Sequence, residues 1–163
     1  QGAMRNAIKE NYYPAFTEPM SQGTRCRQLA EYVIFESPFN MLCDDPTAYE
    51  EEPECTDFIA AVPTVWDETV VLDGKVGDYV AIARRSRDEW YGGVLTDWEA
   101  REMTLDLSFL GEESYQAEVF QDGINAHKTA QDYQKTSMEV PDNHQITVKM
   151  APGGGYAARI YSE

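Results

Sequence analysis

The groups most able to do chemistry in this chain are its carboxylates, eleven of which fall in five clusters: Asp44/Asp45, Glu50/Glu51/Glu52, Asp67/Glu68, Asp88/Glu89 and Glu112/Glu113. Two carboxyls facing one cleft, roughly 5 to 9 Å apart, can split a glycosidic bond, one as acid and the other as base or nucleophile. Neighbours on a regular strand point to opposite faces, so Asp67 and Glu68 cannot share a cleft in that way. None of the clusters has the spacing of a calcium loop. They read as solvated surface charge.

The other reactive residue types give less. His127 and His144 fall in turn-like sequence, with no serine, cysteine or carboxylate at a diagnostic distance. Gly-x-Ser-x-Gly, P-loop and His-Glu-x-x-His patterns are absent. Gly153-Gly154-Gly155 joins two strand patterns and reads as a hairpin turn. Cys26, Cys43 and Cys55 are too few and too widely spaced for a disulfide framework or a zinc site. Cys26 falls on an apolar helical face, where a buried thiol is the ordinary outcome. Trp66 and Trp90 lie inside strand patterns, the usual place for core tryptophans. Trp98 lies in a turn and is the candidate platform for stacking against a sugar. No catalytic, cofactor-binding or metal-ligating residue is assigned.

The elements that position these groups centre on residues 64–93. The run Asp78-Tyr79-Val80-Ala81-Ile82-Ala83-Arg84-Arg85 is apolar on both faces from Tyr79 to Ala83. It reads as a central strand with something packed on each side. Turn signals at 73–75 and 86–88 join it to strands on either side, which makes an antiparallel meander. Beyond it the period of two continues. Strands are predicted at 65–72, 78–85, 89–96, 101–108, 114–121, 134–140, 145–150 and 155–161, with a long surface loop over 122–133. About eight short strands at this spacing imply a mainly β chain, an antiparallel sandwich or barrel.

The N-terminal part follows a different period. Residues 1–22 read as loop, too apolar at Tyr12, Tyr13, Phe16 and Met20 for a free tail. Thr24 is placed to cap a helix whose face is Cys26, Leu29, Ala30, Val33 and Ile34, and which ends near Ser37 before Pro38. Asp44-Asp45-Pro46 reads as a stop and turn, and Pro53 starts a further helix through Val62. These helices either pack on the sheet or are the tail of a larger domain.

The 163 residues suffice for one domain, or for one domain and a piece of another. Thirteen basic against 29 acidic residues give a formal charge of −16. That charge repels nucleic acid and anionic lipid, so neither is expected as a partner. No apolar run reaches the roughly 18 to 20 residues that span a bilayer. No signal peptide is visible at the start.

Several long motifs resemble the C-terminal portion of glycoside hydrolase family 97. They are Pro63-Thr64-Val65-Trp66-Asp67-Glu68-Thr69, Gly77 to Arg85, Trp90-Tyr91-Gly92-Gly93, Phe120-Gln121-Asp122-Gly123-Ile124-Asn125-Ala126 and Ala151 to Arg159. Upstream, Gly23 to Ala30 and Glu36-Ser37-Pro38-Phe39-Asn40-Met41-Leu42 are similar to the end of that family's catalytic barrel. The resemblance implies an α-glucosidase or α-galactosidase, secreted to the periplasm, with a β-supersandwich, a (β/α)8 barrel and a C-terminal antiparallel β domain. It implies residues 1–62 as the end of the barrel and residues 63–163 as the β domain. It implies calcium and catalytic carboxylates on the barrel ahead of the matched segment, so none is carried over here. The chain is then expected to be a C-terminal fragment, inactive alone, with the upstream barrel as partner and an α-linked oligosaccharide as the substrate of the whole enzyme. A carbohydrate-binding β-sandwich module is the alternative. With the barrel absent, the Cys26–Ile34 helix face is expected to be orphaned, to lower the stability of 24–62 and to drive pairing into a homodimer.

Overall fold

The structure is a computed structural model and describes residues 5–162; the first four residues of the predicted N-terminal loop lie outside the described residues. The fold is built on a six-stranded antiparallel sheet. Its strands are β3 (Glu68–Lys75), β4 (Tyr79–Ser86), β5 (Glu89–Thr96), β7 (Tyr115–Asp122), β8 (Tyr133–Glu139) and β10 (Gly155–Ser162), in the order β3-β4-β5-β10-β7-β8. A second layer pairs β6 (Arg101–Asp106) with β9 (Gln145–Met150). The predicted mainly β sandwich is therefore present. Its strands sit within a few residues of the predicted ranges; β3 starts three residues late and carries a bulge between Val71 and Asp73.

Alternation explains the layering. In β9, Ile146, Val148 and Met150 are buried while Gln145, Thr147 and Lys149 are exposed. Those apolar residues join Leu105, Ala81, Ala83, Trp90, Val94, Ala117, Val119, Ala158 and Ile160 in the core between the two layers. Residues of opposite parity in the large sheet face the other way. Tyr91, Leu95, Phe120 and Ala157 meet a helical layer there. β4 is thus covered on both sides, as its two-faced apolar run predicts.

The helical layer consists of α1 (Arg25–Ile34), α2 (Pro46–Glu50) and α3 (Pro53–Ala61). Thr24 caps α1, its side chain accepting from Arg27 N at 3.1 Å. Pro53 begins α3 as predicted. The stop read at Asp44-Asp45-Pro46 is instead a start: Asp45 Oδ1 accepts from Ala48 N at 3.0 Å and Pro46 opens α2. Asp followed by Pro suits an N-cap and N1 as well as it suits a turn, and the bond to Ala48 decides between them. The loop over 122–133 is partly packed, with Ala126 and Ala130 buried and Ala130 O accepting from Arg25 N. In the N-terminal segment, β1 (Asn6–Ala7) and β2 (Ser21–Gln22) form a short parallel pair.

The face of α1 is not orphaned, which corrects the expected route to a homodimer. Cys26, Leu29, Ala30 and Val33 are all 0% exposed, seated on β5 and β10. The sheet accommodates them through small residues under the helix. A Cβ at Gly93 would lie 3.0 Å from Ile34 Cγ1 and 3.1 Å from Ala30 O. One at Gly155 would lie 2.6 Å from Arg27 Cα. Ala157, paired with Gly93, completes this floor. With that face covered, nothing apolar on it is left to drive self-association. Among the apolar side chains that do face water, Phe35, Phe39, Met41 and Leu42 form a run directly after α1.

Candidate functional site at the hairpin tips

Several of the clustered carboxylates are engaged separately from their neighbours. Asp67 Oδ2 accepts from Arg87 N at 2.7 Å, and Glu68 pairs with Arg85 across the β3–β4 ladder. Glu89 pairs with Arg159 and accepts from the Tyr91 hydroxyl; the Arg159 guanidinium holds the Glu89 carboxyl below its usual range. His127 is exposed and His144 is a turn residue with φ 52°. Cys26 and Cys55 are buried and Cys43 exposed. Burial pushes the Cys55 thiol up to about 11 and raises the Cys26 thiol well above its usual value, so neither is a reactive thiolate at neutral pH. Calcium takes six to eight oxygen ligands. Among the described residues no group of three or more acidic, histidine or cysteine side chains could hold a metal ion.

Trp98 sits differently. It borders a cavity of about 560 Å³ at one end of the sandwich, shared by three chain reversals and the start of the helical layer. Lys75 to Tyr79 come from the β3–β4 tip, Leu95 to Trp98 from the end of β5, Gly153 from the turn before β10, and Gln22 and Arg27 from the entry to α1. The sheet order explains the convergence, because β3, β4, β5 and β10 are consecutive neighbours. Val76 at the tip is fully exposed and Trp98 is half-buried.

The walls are pinned. Asp97 N donates to Asp78 O at 2.7 Å, and Gly153 N donates to Asp97 O at 2.6 Å. Asp97 Oδ1 accepts from Glu99 N at 3.0 Å. Arg27 Nη1 donates to Thr96 O at 2.8 Å. The benzo edge of the Trp98 indole lies directly on Gly153, where any Cβ would strike the ring and where φ is +67°. Only glycine meets both demands. Arg101 covers one face of Tyr79, 4.5 Å from the ring centroid, and the Tyr79 hydroxyl donates to Asp73 at 3.2 Å. Burial and that bond raise the Tyr79 phenol. The Lys75 ammonium pairs with Asp78 at 2.6 Å, which raises its pKa.

Asp122, which carries no chemical signal in the sequence, organises the turn under Trp98. It is 8% exposed. Its Oδ2 accepts from Ala151 N at 2.9 Å and from Gly155 N at 3.3 Å. Oδ1 has no partner in hydrogen-bond geometry; the Thr24 hydroxyl and the Cys26 thiol beside the carboxyl also favour its charged form. Burial pushes its pKa up to about 6. Asp122 thus ties the end of β7, the 151–155 turn and the N-terminus of α1 into one corner.

Comparison with known proteins agrees with this architecture. A family model described as "Glycosyl-hydrolase 97 C-terminal, oligomerisation" matches residues 65–161. The chain is 60% identical over 160 residues to a retaining alpha-galactosidase of Bacteroides thetaiotaomicron, covering 98% of this chain and 24% of that protein. Over 66 residues it is 32% identical to a probable retaining alpha-galactosidase of Streptomyces bingchenggensis, covering 40% of this chain and 10% of that one. Among solved structures, a glycoside hydrolase family 97 enzyme from Pseudoalteromonas sp. strain K8, in complex with panose, superposes with a TM-score of 0.83 at 34% identity, covering 86% of this chain and 23% of that one. A beta-arabinopyranosidase superposes with a TM-score of 0.72 at 30% identity, covering 84% and 21%. The chain spans about a quarter of the length of the first of these relatives. It belongs to glycoside hydrolase family 97, and matches the C-terminal part of those proteins.

Proposed function

We propose that the chain is the accessory, non-catalytic C-terminal portion of an enzyme that hydrolyses α-galactosides. The observation that carries this reading is the 60% identity to a retaining alpha-galactosidase along 98% of the chain, beside Asp67, Glu68 and Glu89 that are already engaged in ion pairs and turn bonds. The catalytic carboxylates and the calcium would sit on an upstream barrel of the same protein, in the periplasm. On this reading residues 63–163 act as the β domain, and residues 1–62 connect it to the barrel. Phe35, Phe39, Met41 and Leu42, exposed after α1, then form the apolar contact with that barrel. Such a patch is costly to leave in water.

The test is turnover of an aryl α-galactoside. The purified chain is expected to release no phenol, and the longer protein carrying the barrel is expected to be active. Turnover by the chain alone, abolished by replacing one of its own acids, would overturn the reading.

A further inference from the structure

We propose that the groove between Trp98, Tyr79 and Val76 is a binding site for a pyranoside, of galacto configuration in preference to gluco. Three observations point there. The cavity, about 560 Å³, has the size of an ordinary small-ligand site. Its lining combines an indole, a phenol ring and a fully exposed valine with the charged Lys75, Asp78, Asp97 and Arg27. The Trp98 indole is half-buried, with its benzo edge held fast on Gly153.

A pyranose ring is amphipathic in a way that fits this lining. Its axial C–H bonds make an apolar face whose slightly positive hydrogens are drawn to the negative face of an aromatic ring. Its hydroxyls, each donor and acceptor, suit a rim that offers an ammonium and carboxylates side by side. In a galactopyranose the axial 4-hydroxyl points to one face and leaves carbons 3 to 6 as a continuous apolar patch on the other. A gluco ring has no such patch, which is the physical basis for the stated preference. The pinned turns mean that little ordering is needed on binding. The charge of −16 disfavours a phosphorylated or nucleic-acid occupant. The choice of α-galactosides as the probe rests on the function proposed above; the pyranoside site itself rests on the groove alone.

The experiment is an amide and indole NMR titration of the full chain with methyl α-galactoside, methyl α-glucoside and, as a polyol without a ring, xylitol. A methyl galactoside, with about thirteen heavy atoms, at ordinary efficiency binds with a dissociation constant of about 1 mM. Saturable shifts confined to the Trp98 indole N–H, Val76, Gly77 and Gly153 are expected with the galactoside, about tenfold weaker with Trp98→Ala, and absent with xylitol. Lys75→Ala and Val76→Asp lie on an exposed tip and are expected to weaken binding at least threefold without moving the unfolding midpoint. They keep the test sharp if Trp98→Ala disturbs its turn. No saturable shift, or binding unchanged in all three variants, overturns the site; tighter binding of the glucoside overturns the preference. A null titration leaves the accessory reading standing, and turnover by the chain alone would sink that reading without touching the groove.

Discussion

Adding a single methyl group at three glycines tests whether α1 is truly seated on the sheet. Gly92 and Gly93 are adjacent in β5 and face opposite layers. A Cβ at Gly92 meets only Ala158 Cβ, at 3.8 Å, which is ordinary contact. At Gly93 it would lie 3.0 to 3.1 Å from Ile34, Ala30 and Val33, about 0.4 Å too close. At Gly155 it would lie 2.6 Å from Arg27 Cα, 2.7 Å from Arg27 N and 2.9 Å from Cys26 O, so the first turn of α1 must lift by about 0.8 Å. Those atoms are helix backbone and cannot swing aside. A gap of 0.5 to 1 Å forfeits a quarter to a half of each contact it opens, here beneath Cys26, Leu29, Ala30 and Val33. Overpacking of this kind costs about 1 to 3 kcal/mol. Gly155→Ala should therefore fall near the top of that range and Gly93→Ala near the bottom. Gly92→Ala should be neutral, or more stable by about 0.5 kcal/mol because the unfolded chain loses freedom. For a chain of this length, 3 kcal/mol corresponds to roughly 6 to 12 °C in Tm. Urea unfolding followed by far-ultraviolet circular dichroism, read as midpoints at common slope, measures all three. If Gly155→Ala and Gly92→Ala agree within about 0.5 kcal/mol, α1 does not sit where described and the reasoning fails.

Two further outcomes follow from the same corner of the molecule. Asp122 has a folded pKa raised to about 6 above the ordinary carboxylate value near 3.9, so its contribution to stability is full below the unfolded pKa and is lost as pH rises through about 6, a loss of about 3 kcal/mol by linkage. Asp122→Asn should flatten the stability profile between pH 4 and 6 relative to the unsubstituted chain; parallel profiles would count against a buried, titrating Asp122. Hydrogen exchange should protect the α1 amides about as well as those of β4 and β5, because the helix face is fully buried, with weaker protection over 35–52. Fast exchange throughout α1 would restore the orphaned helix expected from sequence.

The strands were legible because their signal is local. Alternation in β6, β7 and β9 states which side chains face the core, and the doubly apolar β4 states that two layers must cover it. The seat of α1 was legible in principle and was missed. A glycine inside a strand often marks close approach of another backbone, and parity places Gly93 with Tyr91 and Leu95 on the face opposite Trp90 and Val94. Reading Gly93 together with the small Ala157 opposite it would have supplied the partner that the amphipathic helix needs. α2 was lost to the ambiguity of Asp-Pro, which can close one element or open the next.

The groove could not be read from sequence at all, and the reason is topological. Trp98 was singled out because a tryptophan in a turn is unusual, yet its neighbours in space, Tyr79, Val76, Arg27 and Gly153, lie 19 to 71 positions away from it. They meet only because β10 inserts between β5 and β7 and brings the 151–155 turn beside the β3–β4 tip. The abundant acids mislead in the opposite direction. They cluster in sequence, where the eye finds them, but the fold can send neighbours to different partners: Asp67 binds a turn amide while Glu68 holds Arg85. The acid with a consequence is Asp122, isolated in sequence and buried beneath the turn on which the indole rests. In a sheet protein of this kind, side chains that share a site are contributed by strand ends that become neighbours only in the finished sheet, so clustering along the chain is a poor guide to clustering in space.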